Sequence, residues 1–221
     1  MHTDSLAAEA SSETLGQPRS KRERTRMRLI EAAKQILASR GPEAGVAEIT
    51  DLADLAVGSF YNYYSGKEEL FEVAANEAVT AFEQFMFEST ASLSDPVEVL
   101  SARIRLFGRS SESHELAAHI MVRTFSEQLG LHAGYRPGAM DDLHAAMATG
   151  RVAPKHPEAA LSAIVASGVS LLARRLADPS IGPQAVDDYT ETMLVMIGLG
   201  QEEAEELAHG PLPTSGTDNP D

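Results

Sequence analysis

Between about residue 22 and residue 198, apolar side chains recur every three or four positions, and no segment sustains the strict alternation of a half-buried strand. That property restricts the chain to an all-α fold. Leu29, Ile30, Ala33, Ile36 and Leu37 set the phase of a first helix over about 22–40, stopped by S-R-G-P-E. Short helices are expected at about 46–53 and 57–63. Ser65 and Glu68 then form an S-x-x-E capping pattern, which predicts the start of a long helix carrying Phe71, Ala74, Ala78, Phe82, Phe85 and Met86 to about residue 89. Asp95 is placed to cap the next helix, with Pro96 at its first position. Further helices are expected at about 112–130, 138–149, 157–177 and 183–198, separated by glycine and proline, with a last turn in Q-E-E-A-E-E-L-A.

The ends differ from this middle. Residues 1–19 and 209–221 are polar, small and aperiodic and are expected to be disordered tails, which leaves 20–66 as a small N-terminal unit and 67–208 as a helical body. No cysteine is present, so disulfides, thiolate metal sites and thiol nucleophiles are excluded. The first residues lack a basic leader followed by an apolar run, and even L-S-A-I-V-A-S-G-V-S-L-L-A-R-R is interrupted, so the expectation is a cytoplasmic protein without a membrane partner.

The formal net charge of −15 opposes a polyanionic partner, yet its distribution is uneven. R-S-K-R-E-R-T-R-M-R, residues 19–28, holds six basic side chains against Glu23 alone, while the C-terminal Q-E-E-A-E-E-L-A holds four glutamates. Exposed charges more than a Debye length apart, about 8–10 Å at physiological salt, are largely screened, so a basic arm on an acidic body can bind nucleic acid. An isolated run of this kind is otherwise a solvated face.

Three of the five tyrosines fall at 61, 63 and 64 beside Phe60, in a chain without tryptophan. Two short helices around a turn at about 54–56 have the spacing of a helix-turn-helix, whose second helix is offered to the major groove. Phase places Leu55, Phe60 and Tyr64 inward and leaves Val57, Gly58, Ser59, Tyr61, Asn62 and Tyr63 on the outer and flanking surfaces. Tyr61 and Tyr63 present stiff side chains whose hydroxyls reach phosphate oxygens, and Lys67 lies where a helix start favours an anion.

R-L-I-E-A-A-K-Q-I-L-A-S-R-G followed by A-E-I-T-D-L-A-D-L-A-V-G-S-F-Y-N-Y-Y-S-G-K-E-E-L-F resembles the DNA-binding domain of the tetracycline-repressor (TetR) family over roughly residues 24–72. The resemblance implies a motif at about 45–64 in which Ser59, Tyr61, Tyr63 and Lys67 hold phosphates. Val57 and Asn62 are then the base-contact candidates, since valine meets a thymine methyl and asparagine pairs with adenine. Arg22, Arg24 and Arg26 are candidates for added backbone or minor-groove contacts. Gly45 stands where the family usually has a Ser or Thr cap, and Asp54 and Ala56 where glycine and serine are frequent.

The resemblance further implies a C-terminal ligand-binding and dimerisation domain, double-stranded operator DNA and a small, largely apolar ligand as partners, a homodimer, and no cofactor. Phe82, Met86, Phe107, Met121 and Phe125 are the pocket candidates, against a reading as plain core. Ala160, Ala163, Ala166, Ser167 and Gly168, with Tyr189, Met193, Met196 and Ile197, suit either a dimer face or an internal core. A twofold dimer is expected because one short helix reads too few base pairs.

Two other classes remain open. A helical interaction adaptor with a degenerate DNA-binding unit fits Gly45, Ala56 and the acidity. An enzyme is suggested only by His114-Glu115-Leu116-Ala117-Ala118-His119, where the histidines are five apart. On a helix that separates them by about 140°, so they cannot share a metal as the H-E-x-x-H motif requires; His114 is expected to face solvent and His119 the interior.

Overall fold

The computed structural model describes residues 20–128 and 137–213, with the side chains of 124–128 and 137 outside the described set. Among the described residues eleven helices follow one another and no strand is present. They are α1 (Lys21–Ser39), α2 (Val46–Leu52), α3 (Val57–Phe60), α4 (Lys67–Ser89), α5 (Pro96–Gly108), α6 (Ser110–Ser113), α7 (Glu115–Gln128), α8 (Pro137–Ala148), α9 (Pro157–Ala177), α10 (Gln184–Met196) and α11 (Gln201–His209). The N-terminal tail expected at 1–19 lies outside the described residues, as does 214–221; His209, expected in the C-terminal tail, completes α11.

α1 opens on a capping box that was not among the expected ones. Glu23 N donates to Ser20 Oγ at 3.2 Å, and Ser20 N donates to Glu23 Oε2 at 2.7 Å. The helix closes where Gly41, at φ 81°, turns its N–H onto Ile36 O and Leu37 O. At α4 the expected box between Ser65 and Glu68 does not form. Gly66 is the N-cap, so Lys67 becomes the first helical residue and Glu69 the third. The glutamate that reaches back is therefore Glu69, which accepts from Ser65 N and Ser65 Oγ at 2.7 Å each. α5 starts as expected, with Val97 N donating to Asp95 Oδ1 at 3.0 Å behind Pro96.

The core falls into three clusters. The first joins Leu29, Ile30, Ala33 and Leu37 of α1 to Ile49 of α2, Phe60 of α3, Leu70 and Ala74 of α4, and Ile120 of α7. The second lies in the body among α5, α8, α9, α10 and α11, and a third gathers Phe82, Ala117, Ala118, Met121 and Leu172 between them. α4, at 23 residues, extends about 35 Å and belongs to both ends. α7 ties back to α1 directly: Arg123 donates from Nε to Ala38 O and from Nη2 to Ser39 O, each at 3.1 Å, capping carbonyls that the end of α1 leaves unpaired.

α9 is long and apolar enough to cross a membrane by length and composition, although its apolar stretch was expected to be too interrupted. Here it packs against α5, α7, α8 and α10 as a helix of the body. Gly108 permits the close approach of α5 to α10, since a Cβ there would lie 2.6 Å from Val186 Cγ1.

Candidate nucleic-acid interface and ligand cavity

The α-helical part of α3 is only four residues long and ends at Phe60, short of the expected 57–63. A helix this short has no stability of its own, and its last turn relaxes to bonds spanning three residues, Asn62 N to Ser59 O at 3.3 Å and Tyr63 N to Phe60 O at 2.9 Å. Packing holds it in place. Phe60 is fully buried and Tyr64 is 5% exposed, their rings 6.0 Å apart, while Tyr61 meets Phe60 edge-on at 5.3 Å and keeps 60% of its surface free. Burial pushes the Tyr64 phenol up, and the charge of Arg26 pulls partly the other way.

This anchoring leaves Val57, Gly58, Tyr61 and Asn62 exposed, with Ser59 and Tyr63 half-buried on the flanks. Lys67 is half-buried and its Nζ donates to Pro42 O at 2.9 Å, so one of its three donor positions is committed to the loop before α2. Arg22, Arg24 and Arg26 are exposed along α1. The turn between α2 and α3 is built on Asp54, at φ 50°, a left-handed conformation that costs most non-glycine residues. Arg28 crosses from α1 to hold it, donating from Nη2 to Asp54 O and Oδ2. Nothing local in the sequence singles out Arg28, because its partner is 26 residues away.

A cavity of about 580 Å³ opens among α4, α5, α8, α9 and α10. Met86 and Phe107 line it, whereas Phe82 and Met121 pack in the adjoining core and the side chain of Phe125 is outside the described residues. Its polar groups were not foreseen. Arg103 pairs with Asp142, donates from Nε to Thr90 Oγ1 at 3.1 Å, and holds its guanidinium 5.4 Å from the Phe87 ring centroid. On the opposite helices, the Tyr189 hydroxyl donates to Ile164 O at 2.5 Å and lies 3.2 Å from Ser167 Oγ. Burial pushes the Tyr189 phenol up, keeping it neutral.

His114 does not face solvent as expected. Its ring lies tilted against Phe85 at 4.2 Å and edge-on to Phe82 at 5.3 Å, and burial lowers its pKa from 6.5. His119 is half-buried and faces Glu115 at 3.7 Å. Among the described residues no cluster of histidine and carboxylate side chains suits a metal ion.

Residues 29–74 match the model of bacterial regulatory proteins of the tetR family, and residues 95–210 match the tetracyclin repressor-like C-terminal domain, more than half of the chain. The chain belongs to the TetR family of transcription regulators. It is accordingly a ligand-responsive, DNA-binding regulator of the repressor type and not an enzyme. TetR-family regulators bind operator DNA and small molecules and form dimers.

No curated protein sequence matches the chain. Among solved structures, RolR in complex with resorcinol is similar at 28% identity and a TM-score of 0.60, covering 89% of this chain and 98% of RolR. The fatty acid degradation regulator FadR from Bacillus halodurans aligns at 16% identity and a TM-score of 0.65, over 82% of this chain and 97% of that one. NalD, the secondary repressor of a multidrug efflux pump in Pseudomonas aeruginosa, aligns at 20% identity and a TM-score of 0.60, over 81% and 98%. The last two speak for the fold alone. In the TetR frame, Gly45 caps α2 without a side-chain hydrogen bond, and Asp54 with Arg28 takes the place of the frequent glycine in the turn.

Proposed function

We propose that a homodimer of this chain docks two copies of the α3 tip in successive major grooves of a palindromic operator, and that a small, largely apolar molecule in the 580 Å³ cavity releases it. The observation that carries the reading is the exposed tip itself: Val57, Tyr61 and Asn62 stand outward on a fully buried Phe60. Val57 and Asn62 read base edges. Ser59, Tyr61, Tyr63 and Lys67 hold phosphates, with Gly58 letting the backbone approach and Arg22, Arg24 and Arg26 adding contacts along the duplex.

The dimer face is assigned to the outer side of α9 and α10. Of the residues expected to serve either a dimer face or a core, Ala163, Ala166 and Met196 are exposed there, joined by Ser170 and Val195, while Gly168 and Ile197 are buried within the protomer. Small residues let a second copy of α9 approach closely. A site of action on chromosomal DNA places the protein in the cytoplasm. RolR, at 28% identity, is described with resorcinol, which supports a small aromatic occupant for the cavity.

Binding of purified protein to duplexes from the DNA beside its own gene tests the reading across a salt series. Tyr61→Phe and Lys67→Ala are expected to weaken binding to every sequence, and Asn62→Ala to change preference at one position. Unchanged affinity in all three variants would overturn the contact assignment.

A further inference from the structure

Resting on the reading of the cavity as the effector site, we infer that its ligand is a neutral hydroxylated aromatic, recognised through the Arg103–Asp142 pair. The two side chains come from α5 and α8, are 21% and 17% exposed, and meet through Arg103 Nη1 and Asp142 Oδ1 at 2.5 Å. Among the described residues, Nη2 of Arg103 and Oδ2 of Asp142 take no hydrogen bond, while Nε is used by Thr90 Oγ1. The pair therefore offers the cavity unused guanidinium N–H donors and unused carboxylate lone pairs with no net charge of its own. One hydroxyl engages both partners at once, donating to the carboxylate and accepting from the guanidinium.

The remaining walls set the body of the ligand. Ile104, Phe107, Ile164 and Gly168 form an apolar slot, and a Cβ on Gly168 would lie 3.5 Å from the Phe107 ring. Tyr189 Oη at the far end donates to Ile164 O and is met by Ser167 Oγ, so it is committed to the protein and adds no requirement for a second polar group on the ligand. A carboxylate ligand would face Asp142 and the neighbouring Glu83, and an ammonium would face Arg103. An apolar ligand without the hydroxyl would displace water from the pair and leave both groups unsatisfied. Of the four classes, the neutral hydroxyl is the one that supplies both a donor to Asp142 and an acceptor to Arg103.

Matched naphthyl probes test this on the full-length chain, which has no tryptophan to mask their fluorescence. 2-Naphthol is expected to bind at least about tenfold more tightly than naphthalene, 2-naphthoate or 2-naphthylmethylammonium. Asp142→Asn leaves Arg103 unpaired and is expected to raise 2-naphthoate affinity at least about tenfold, a gain that a misfolded variant cannot show. Arg103→Met leaves Asp142 unpaired and is expected to shift preference toward 2-naphthylmethylammonium. Equal binding of the hydrocarbon or either ion by the parent, no binding of any probe, or no gain of 2-naphthoate binding in Asp142→Asn would overturn the ligand class. Should 2-naphthol bind as expected yet leave the affinity for DNA unchanged, the ligand class stands and the role of this cavity in release falls.

Discussion

Arg28 and Asp54 are joined twice: Nη2 of the arginine lies 2.8 Å from the backbone carbonyl oxygen and 2.9 Å from a carboxylate oxygen of the aspartate. The first contact fixes the turn between α2 and α3, and the second ties it to α1. The carboxylate is 97% exposed, so the ion pair itself contributes little, and the backbone contact with the left-handed residue matters more.

Asp54→Gly is therefore expected to be nearly neutral, because glycine adopts φ 50° without strain and the carbonyl contact survives. Asp54→Ala keeps the strain and loses the side chain that tolerates it, with an expected loss of about 1 kcal/mol. Thermal unfolding of the two variants checks the order.

Phe60 and Tyr61 are adjacent and should separate stability from binding. Phe60→Ala empties the centre of the N-terminal core and is expected to cost about 3–5 kcal/mol. Tyr61→Phe, at a site 60% exposed, is expected to leave the melting temperature unchanged and to weaken DNA binding. Calorimetric melting alongside DNA titration distinguishes the two effects.

How much of this was legible in the sequence depends on how far apart the partners lie. Phe60 and Tyr64 are one helical turn apart, so their shared inward face could be read directly. The start of α3 followed from the turn, but its end did not, because backbone bonding there tightens after Phe60. Glu68 and Glu69 both stand near Ser65; a one-residue shift of the helix start decided between them. The cavity was the least legible part. Arg103, Asp142 and Tyr189 come from α5, α8 and α10, and no local pattern brings them together. One signal was available: Arg103 falls on α5 one position from the apolar Ile104, so its charge needed a partner within the body.

Arg123 offers a test of coupling between the two ends. Arg123→Ala removes the donors that α7 places on Ala38 O and Ser39 O of α1. The expected outcome is unchanged ligand affinity with a smaller ligand-induced loss of DNA affinity, measured by titrating ligand into the DNA complex.

His114 gives the chain a pH response with a defined sign. Its folded pKa is lowered from 6.5 by burial against Phe82 and Phe85, so the unfolded chain takes up the proton first. The stability it contributes is present above about pH 6.5 and is lost as pH falls through the folded value. His114→Gln is expected to flatten the fall in melting temperature between about pH 7 and pH 5.5.

The paired presentation of α3 is tested most directly by a hydroxyl-radical footprint on the duplex beside the gene. Two protected patches are expected on one face of the DNA, centred about 34–36 Å or a multiple of that apart, both lost on adding ligand. A single patch, or protection unchanged when Tyr61 and Asn62 are replaced, would contradict it.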